Sequence, residues 1–529
     1  MRLPRRVASF TAGLGLLAGL SVSASCSVVL DFPQCVEHTD CTNAQGTELE
    51  CRSNLCVEPI DPSTIACSAD ADCEVTFDDT VICGVDNVCA ALTTERCELR
   101  IRPEGIPSSD VVYIGSILPR TGVYSELGQT LDNAIQLAVE DFNSVAFLPG
   151  GRQVGWVACD SQGRSQEAAA AAQELLAAGI TAIIGPGLSQ ETIDVANVTA
   201  PAGALLVSPS ASAQVLGLLN DNSLVWRTTG NDAVQAAGFA ERLASLEPAP
   251  QRVFALVKDD LYGEGLLEAL APRLEGVLPD GGLGTAFYSD LGTFESTDDL
   301  RAEYGSRVAI AFERDPDVIL VLGSVEAREL VLFYLEAWAG ADPRPPLPRF
   351  IVSNEAVPAL EAIVNGVSDN FKASLMTSLE GVTHRTIDPD NYEPFAIRYM
   401  IRFDADAGID AGLAYDAAMV VMLAHSALSP QSNSGSELAE ALGRLADESA
   451  PAVSYSDGLS YIGAVQQALQ AGESVDFRGV SGELDFDLGS GDTLRDLTGW
   501  DVEPVSGTTR PILRARRRFD RSEGTWSDL

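Results

Sequence analysis

Hydroxyl side chains follow two apolar runs of the sequence, at the points where buried strands are expected to end. The first run, residues 182–184, stops at a Gly-Pro-Gly turn before Ser189, and the second, residues 204–207, precedes Ser210 and Ser212. Short continuous apolar runs are typical of buried parallel strands, and open α/β sheets bind ligands beyond the carboxyl ends of such strands. We therefore expect these serines at one edge of a cleft, where hydroxyls and helix-start N–H groups suit a carboxylate or another anion.

Three further residues follow later apolar runs and could complete such a site. Tyr262 lies in an Asp-Leu-Tyr-Gly turn, and Ser324 and Glu355 each follow a short apolar run. A zwitterion needs donors for its carboxylate and an acceptor for its ammonium, because an unmet charge in a closed cleft is costly. Serines and a glutamate supply both, and a tyrosine adds an apolar plane with a hydroxyl. Alternatively, the serines only cap helices and fill turns, Tyr262 is a surface aromatic residue and Glu355 is a solvated carboxylate.

Strand-like and helix-like patterns alternate along most of the chain and would position these residues. One series of alternating patterns begins at residue 111, and a second begins at residue 252. Repeated β–α–β units imply a parallel sheet covered by helices on both faces. The sequence therefore predicts an α/β protein with two doubly wound lobes.

Length and charge limit the possible classes of protein. A chain of 529 residues is too long for one ordinary core, so more than one domain is expected. Its 76 acidic and 34 basic side chains give a formal net charge of -42, which repels phosphate backbones and argues against binding to nucleic acid. A basic cluster at residues 514–518 is expected to pair with acidic residues on a last strand, residues 511–518.

The N-terminal 25 residues have the pattern of an export signal. Three arginines precede an uncharged run rich in small residues, which is typical of a signal peptide. The sequence Ser-Ala-Ser-Cys ending at Cys26 resembles a bacterial lipobox, whereas ordinary signal cleavage after Ala24 is the alternative. No later stretch is apolar enough to span a bilayer, so a lipid on Cys26 would be the membrane anchor.

Eight cysteines form an internal repeat after this segment. The spacings between successive cysteines are five, nine and four residues in one copy and five, nine and five in the other. In an exported chain such copies predict two small disulfide modules, and the sequence leaves three possible pairings open in each. The first copy contains Cys35, Cys41, Cys51 and Cys56, and the second contains Cys67, Cys73, Cys83 and Cys89.

Two cysteines remain once Cys26 and the eight modular cysteines are assigned. The count suggests that Cys97 and Cys159 pair with each other and attach the start of the large domain to its second strand. A zinc site in the modules is disfavoured because no C-x-x-C pair occurs, so we expect no bound metal. The modules are expected to form a stiff stalk, with a protein-binding surface as the alternative.

A cleft could also belong to an enzyme, but the sequence lacks the common catalytic patterns. The three histidines, His38, His384 and His425, lie in unrelated sequence contexts. The sequence contains no G-x-S-x-G elbow, H-E-x-x-H helix or Walker loop. We therefore expect neither an enzyme nor a cofactor.

The large domain resembles type I periplasmic binding proteins, most closely the leucine/isoleucine/valine-binding branch that feeds ABC importers. The resemblance covers about residues 110–487 and rests on six motifs in order: VVYIGSILPRTGVYSELGQ, IIGPGLSQ, LLVSPSASA, LVWRTTGNDAVQ, VFALVKDDLYGEGL and VSGELDFD. It implies two Rossmann-like lobes that are joined by three crossovers near residues 229, 377 and 480. The implied division is a signal peptide (1–25), cysteine-rich modules (26–60 and 61–98), lobe 1 (110–230 and 379–479) and lobe 2 (231–378 and 480–529).

The resemblance also implies roles for the residues at the strand ends. Ser189 matches a serine that holds the ligand carboxylate, and Ser210 and Ser212 match groups that bind the carboxylate and ammonium. Tyr262 matches a tyrosine that closes on the ligand from lobe 2. Ser324 stands where a second tyrosine is expected.

Two further positions differ from the family pattern: one has two candidate residues, and the other lacks the expected aromatic residue. Glu355 is expected to meet the ligand ammonium, although Asn354 could hold that place. Leu127 replaces an aromatic residue over the pocket, and Tyr124 lies near it.

The expected function is that of a solute-binding lipoprotein in the periplasm or outer envelope. It would bind an amino acid or related molecule and deliver it to the membrane subunits of an ABC importer. The alternative is an envelope protein that uses the same scaffold and its cysteine modules to contact other proteins. Domain closure around a ligand is the expected conformational change.

Overall fold

The computed structural model describes residues 50–52, 55–57, 60–77, 80–384, 388–408, 410–430 and 432–529. The chain divides into two compact units, Met1–Asp61 and Pro62–Leu529. In the first unit, β1 (Glu50–Arg52) pairs antiparallel with β2 (Leu55–Val57), and Cys56 is disulfide-bonded. The predictions of a signal peptide, of lipidation at Cys26 and of a role for Cys35 and Cys41 lie outside the described residues.

The second cysteine module begins the second unit and contains α1 (Asp70–Glu74) and a hairpin of β3 (Val81–Cys83) and β4 (Cys89–Ala91). Disulfides join Cys67 to Cys83 and Cys73 to Cys89, which selects one of the three pairings that the sequence left open. The sulfurs of Cys67, Cys73 and Cys89 lie within 4.8 Å of one another, but each is already part of a disulfide.

The first sheet has six strands in the order β10-β9-β8-β6-β7-β5. All of its neighbours run parallel except β5, which pairs antiparallel with β7. Its strands are β5 (Cys97–Ile101), β6 (Val111–Leu118), β7 (Gln153–Asp160), β8 (Ala182–Ile184), β9 (Leu205–Ser208) and β10 (Val225–Arg227). The connecting helices are α2 (Ser125–Val145), α3 (Ser165–Ala177) and α4 (Ser189–Thr199). A disulfide joins Cys97 to Cys159, the pairing expected from the cysteine count.

The cysteine module packs against this first lobe. Ile82 and Leu92 belong to the same buried cluster as residues of α3 and the first sheet. The Val85 N–H donates to the Ala177 carbonyl at the end of α3 over 3.2 Å. Arg96 forms an ion pair with Glu174 on α3 at 2.9 Å. The module therefore extends the hydrophobic core of the lobe.

The chain next enters a second α/β lobe. It forms β11 (Val253–Lys258), β12 (Leu283–Tyr288), β13 (Val318–Leu322), β14 (Arg349–Val352) and β15 (Leu379–Thr383). These parallel strands alternate with α5 (Asp232–Ala244), α6 (Leu261–Leu270), α7 (Thr297–Glu313), α8 (Ala327–Gly340), α9 (Ala359–Asn365) and α10 (Asp369–Met376). One buried cluster covers each face of the sheet.

The chain then returns to the first lobe. It forms α11 (Pro389–Phe403), α12 (Ala411–His425), α13 (Gly435–Gly443) and α14 (Ser460–Gln470), with β16 (Ala452–Ser454), β17 (Asp476–Gly479) and β18 (Gly482–Glu483). Every residue of α12 is buried, and its side chains share a core with those of α2 and the first sheet. A helix that is apolar on all sides is typical of a core position.

The last three strands, β19 (Leu497–Pro504), β20 (Pro511–Asp520) and β21 (Thr525–Asp528), complete the second sheet. Its order is β12-β11-β13-β14-β15-β19-β20-β21, with antiparallel pairing from β15 onward. The basic cluster pairs with acidic residues as expected, because Arg517 contacts Asp501 and Arg518 lies 2.6 Å from Asp496. Its strand, β20, is not the last one as predicted, since β21 follows it and pairs with it.

The predicted α/β fold with two doubly wound lobes is confirmed. The chain passes between the lobes after β10, after β15 and between β18 and β19. The sequence placed the second passage near residue 377, just before β15, whereas β15 pairs with β14 and β19 in the second sheet. Among the described helices, none combines the length and hydropathy needed to cross a bilayer.

Candidate functional site

Two loops at the carboxyl ends of β8 and β9 are held together by hydrogen bonds. The Ser208 hydroxyl donates to the Pro186 carbonyl at 2.6 Å, and the Ser210 hydroxyl donates to the Gly187 carbonyl at 2.8 Å. Gly185 has a φ of 97°, and a Cβ there would lie 2.3 Å from the Ile117 carbonyl oxygen, so only glycine fits. These contacts fix the point at which α4 begins.

The three predicted serines of lobe 1 have different surroundings. Ser189 is the first residue of α4, and its hydroxyl accepts a 3.2 Å hydrogen bond from the Ala213 N–H. The Ser210 hydroxyl is already bonded to the Gly187 carbonyl. The Ser212 hydroxyl is fully buried and has no hydrogen-bond partner among the described residues.

A cavity of about 180 Å³ lies between the two lobes. Lobe 1 contributes residues from the loops after β6, β7 and β8, and lobe 2 contributes residues from the ends of β11, β12 and β14. The wall consists of Tyr124, Gly163, Ser165, Leu188, Ser189, Gln190, Glu191, Lys258, Asp260, Leu261, Tyr262, Asp290 and Glu355. Its position matches the expected location at the carboxyl ends of parallel strands.

Tyr262 and Glu355 reach this cavity from lobe 2. Tyr262 is the second residue of α6 and is 3% exposed, which excludes the alternative of a surface aromatic residue. Its hydroxyl donates to the Gln235 side-chain carbonyl at 3.3 Å. Glu355 follows β14 and is partly buried. Burial raises the pKa of the Glu355 carboxyl well above its ordinary value, although Lys258 partly offsets this effect.

Asn354 occupies a different environment from Glu355. It is not part of the cavity wall, and its side-chain oxygen accepts a 3.1 Å hydrogen bond from the His384 N–H. Glu355, and not its neighbour, therefore presents a carboxyl group to the cavity.

Lys258, the last residue of β11, is the one basic residue of the cavity wall. Its ammonium nitrogen lies 2.7 Å from Asp290, 3.1 Å from Glu326 and 3.4 Å from Asp260. Burial disfavours the charged amine, but Glu326 and the other neighbours outweigh burial and raise the pKa of Lys258 well above its ordinary value. Lys258 is therefore a buried cation that neutralises part of an acidic group of side chains.

Ser324 lies behind this cluster and outside the cavity wall. Its hydroxyl donates to Glu326 at 2.8 Å and accepts from the Lys258 ammonium at 3.3 Å. The predicted residue therefore takes part in internal contacts of lobe 2. It could influence a ligand only through Lys258 and Glu326.

Tyr124 connects the lobes across one end of the cavity. Its hydroxyl donates to Asp290 in a short hydrogen bond and accepts another from the Lys258 ammonium. The ammonium also lies 4.9 Å from the centre of the Tyr124 ring, within the range of a cation–π interaction. Burial and the charge of Glu326 raise the pKa of Tyr124, so its hydroxyl stays protonated. Tyr124 is a lobe-1 residue held by charged groups of lobe 2.

The acidic residues around Lys258 belong to lobe 2, and Glu191 adds a carboxyl group to the wall from lobe 1. It lies in the first turn of α4 and is 2% exposed, and neither carboxylate oxygen has a hydrogen-bond partner among the described residues. Burial raises the pKa of Glu191 to about 7, and the nearby Ser161 hydroxyl offsets only part of this effect. A carboxyl group with this pKa changes charge near neutral pH.

Buried polar contacts join the first and third passages between the lobes. Arg227 lies 2.6 Å from Asp492, and Asn231 donates to the same carboxylate at 2.8 Å. Arg495 donates to the Thr228 carbonyl at 2.7 Å and to the Ser481 carbonyl at 2.6 Å. These contacts fix the passages to one another beside the cavity.

The described histidines do not form a catalytic arrangement with the cavity. His384 is buried at the second passage, 3.3 Å from Asp232. His425 is buried in α12, where burial lowers its pKa to about 3. Neither residue belongs to the cavity wall.

The structure therefore brings Ser189, Tyr262 and Glu355 to one cavity and leaves Ser210, Ser212 and Ser324 outside its wall. The sequence did not identify Lys258, Asp260, Asp290 or Glu191 as wall residues. Lys258 had a signal that could have identified it, since it is one of two lysines in the chain and ends an apolar run.

Comparisons with known proteins agree with this architecture. A family model described as periplasmic binding protein matches residues 111–294. The Leu/Ile/Val-binding protein BraC3 of Rhizobium johnstonii is 34% identical over 167 residues, which are 31% of this chain and 44% of that protein. The substrate-binding protein BasB of a chemotactic signal transduction system in Halobacterium salinarum is 26% identical over 420 residues, 76% of this chain and 90% of that protein. The matched region thus spans less than half of BraC3 and most of BasB.

Solved structures show the same fold. The leucine-binding protein LivK of Thermotoga maritima has a TM-score of 0.57 at 19% identity, covering 76% of this chain and 98% of that chain. A solute-binding protein of an ABC transporter from Rhodopseudomonas palustris HaA2, in complex with p-hydroxybenzoic acid, has a TM-score of 0.58 at 17% identity, covering 78% and 98%. The lobes described above are those of the type I periplasmic binding fold.

Proposed function

Because the α/β region of this chain has the type I periplasmic binding fold and is related to its leucine/isoleucine/valine-binding branch, we propose that it binds a small amino acid-like molecule between its lobes. The observation that carries this proposal is the cavity of about 180 Å³ whose wall combines residues of both lobes. A concave site with a few convergent polar groups is the usual form of a small-molecule site. Ser189 and Glu355 offer a donor and an acceptor there, and Tyr262 covers the ligand from lobe 2.

We also propose that the protein acts outside the cytoplasm and passes its ligand to the membrane subunits of an ABC importer. The relatives that match it are binding proteins, which supports a carrier and not an enzyme. The N-terminal sequence supports export, with a lipid on Cys26 as the anchor and ordinary cleavage as the alternative. The passages between the lobes would be the hinge about which the lobes close.

Native mass spectrometry followed by a thermal-shift panel tests ligand binding. The panel contains amino acids and aromatic acids, because the relatives and structural neighbours are named for both. A ligand at a hundred times its Kd stabilises the native state by about 2.7 kcal/mol, which raises the melting temperature by several degrees. We expect a ligand that stabilises the protein and that loses this effect in the double variant Ser189→Ala and Tyr262→Phe.

The matched control is Ser306→Ala, at an exposed serine of α7. It should keep the full thermal shift. If no small molecule co-purifies and none stabilises the protein, the carrier function is wrong. The scaffold would then serve protein contacts through its cysteine modules.

A further inference from the structure

The wall of the cavity has an excess of acidic groups. Glu191, Asp260, Asp290 and Glu355 face one basic residue, Lys258. The apolar side chains that would suit a branched aliphatic ligand are few, since the wall contains only two leucines and the two tyrosine rings. Much of the accessible surface of the wall is nevertheless apolar, so the excess of acidic groups, and not the overall polarity of the wall, indicates the charge of the ligand.

Lys258 neutralises only part of the charge of this wall, and its own N–H donors are already engaged. The ammonium contacts Asp290 at 2.7 Å, Glu326 at 3.1 Å and Asp260 at 3.4 Å, and it also donates to Tyr124. An ammonium has only three N–H donors, so no donor is left for an anionic ligand. Three carboxylates around one ammonium also leave negative charge on the lobe-2 side.

Glu191 provides an independent observation on the lobe-1 side. Its side chain is buried, it belongs to the cavity wall, and neither of its oxygens has a hydrogen-bond partner among the described residues. A buried carboxyl group without a partner is unfavourable unless it is neutral or meets a cation. The Ser161 hydroxyl offsets only part of this cost, so a proton or a nearby cation stabilises Glu191 further.

We propose that the ligand of this cavity carries a net positive charge, as a basic amino acid or a short diamine does. This proposal rests on the proposed function and specifies its ligand class. One cationic group of the ligand lies toward Asp290 and Asp260, and a second amino group lies toward Glu355, while Glu191 adds a carboxyl group to the wall on the lobe-1 side. The cavity volume of about 180 Å³ limits the ligand to roughly the size of an amino acid.

The raised pKa values of three carboxyl groups of the wall agree with a positively charged ligand. Burial raises the pKa of Glu191 to about 7, and it raises the pKa values of Asp260 and Glu355 as well. A cation that enters the cavity favours the ionised carboxylates, so protons leave as the ligand binds. A neutral or acidic ligand would not displace them.

Titration calorimetry with L-ornithine, putrescine and L-norleucine tests the charge directly. L-norleucine has the shape of L-ornithine with a methyl group in place of the side-chain ammonium, and putrescine lacks the carboxylate. We expect L-ornithine or putrescine to bind at least about tenfold more tightly than L-norleucine, a difference of about 1.4 kcal/mol, because L-norleucine lacks the second ammonium that would bond to a carboxylate of the wall. The ranking of L-ornithine and putrescine distinguishes a basic amino acid from a diamine.

Other rankings overturn the proposal. If L-norleucine or L-glutamate binds as tightly as the cations, or if the co-purified ligand is neutral or acidic, the charge assignment is wrong while the carrier function stands. If no small molecule binds, both fail.

Two variants test whether carboxyl groups of the wall cause the preference for L-ornithine over L-norleucine. Asp290→Asn and Glu191→Gln should each weaken L-ornithine binding about tenfold and leave L-norleucine binding nearly unchanged. Glu191→Gln removes an unpartnered carboxyl group, so it is expected to fold even if Asp290→Asn does not. Asp298→Asn, at an exposed position of α7, is the matched control and should bind like the wild type. Unchanged L-ornithine affinity in Glu191→Gln would contradict the proposal.

Discussion

At the scale of single residues, the cavity is built from side chains that follow different strands and are far apart in the chain. Ser189, Tyr262 and Glu355 each follow an apolar run, and the structure brings all three to one cavity. Lys258 also ends such a run, but its burial depends on Asp290 and Glu326, which are distant in sequence. Local pattern does not encode such contacts, because they exist only when β11, β12 and β13 lie side by side.

For the serines as well, the sequence predicted the position in the chain but not the hydrogen-bond partner. Ser210 and Ser324 were placed correctly at strand ends, yet their hydroxyls donate to Gly187 and Glu326 inside the protein. Serine in a turn often bonds to nearby backbone, so its presence does not reveal whether it faces a cavity. Only the path of the surrounding loops decides this.

The buried carboxyl of Glu191 should make stability depend on pH. Its pKa is about 7 in the folded protein and 4.5 as the ordinary value, so between these values the native state binds more protons than the unfolded state. Stability contributed by this group therefore falls as the pH rises through that window. We expect Glu191→Gln to gain stability relative to the wild type from pH 5 to pH 8, by at most about 3 kcal/mol, since each pKa unit corresponds to about 1.4 kcal/mol.

Urea unfolding at both pH values measures this effect. Glu126→Gln, at an exposed glutamate in the first turn of α2, is the control and should show no such change. An equal stability difference between wild type and Glu191→Gln at the two pH values would show that the buried carboxyl does not titrate in this range.

At the scale of secondary structure, the buried strands were predicted because they are continuous apolar runs. β6, β11 and β13 are buried along their whole length. The edge strand β12 was missed, since it alternates between exposed and buried residues and contains Gly284. An edge strand packs one face only, so its sequence resembles a loop in a glycine-rich context.

The disulfide between Cys97 and Cys159 joins the antiparallel edge strand β5 to β7. The bond closes a loop with a sequence separation of 62, so its removal should release considerable chain entropy in the unfolded state. We expect the double variant Cys97→Ser and Cys159→Ser to lose about 2–5 kcal/mol of unfolding free energy. Calorimetric melting under non-reducing conditions measures the loss.

A second double variant shows whether loss of any disulfide destabilises the protein to the same extent. Cys67→Ser with Cys83→Ser removes a bond that closes a shorter loop within the cysteine module, with a sequence separation of 16. It should destabilise the module and, because the module shares a buried cluster with lobe 1, lower the melting temperature of the lobes, but by less than loss of the bond between Cys97 and Cys159 does. An unchanged melting temperature in the Cys97 and Cys159 variant would mean that β5 contributes little to lobe 1.

At the scale of the whole molecule, Tyr124 joins the two lobes directly. Its hydroxyl bonds to Asp290 and Lys258 across the cavity, and Val123 lies beside Gly292 of the facing loop. Deleting the hydroxyl leaves the ring in place but removes both hydrogen bonds. We expect Tyr124→Phe to favour a more open arrangement, seen as a larger radius of gyration in small-angle scattering of the ligand-free protein.

The control is Tyr304→Phe, which removes a 2.8 Å hydrogen bond to the Ser289 carbonyl within lobe 2. It should leave the radius of gyration unchanged. If Tyr124→Phe scatters like the wild type, the contacts at the passages between the lobes determine the arrangement by themselves.

The central claim is that the cavity shared by the two lobes holds a small molecule, and a crystal structure of the protein with its co-purified ligand tests this claim most directly. The account predicts ligand density between Ser189 on lobe 1 and Tyr262 and Glu355 on lobe 2, with contacts from both lobes. Density for the bound molecule at any other surface, with the cavity filled only by the side chains of its own wall, would contradict it.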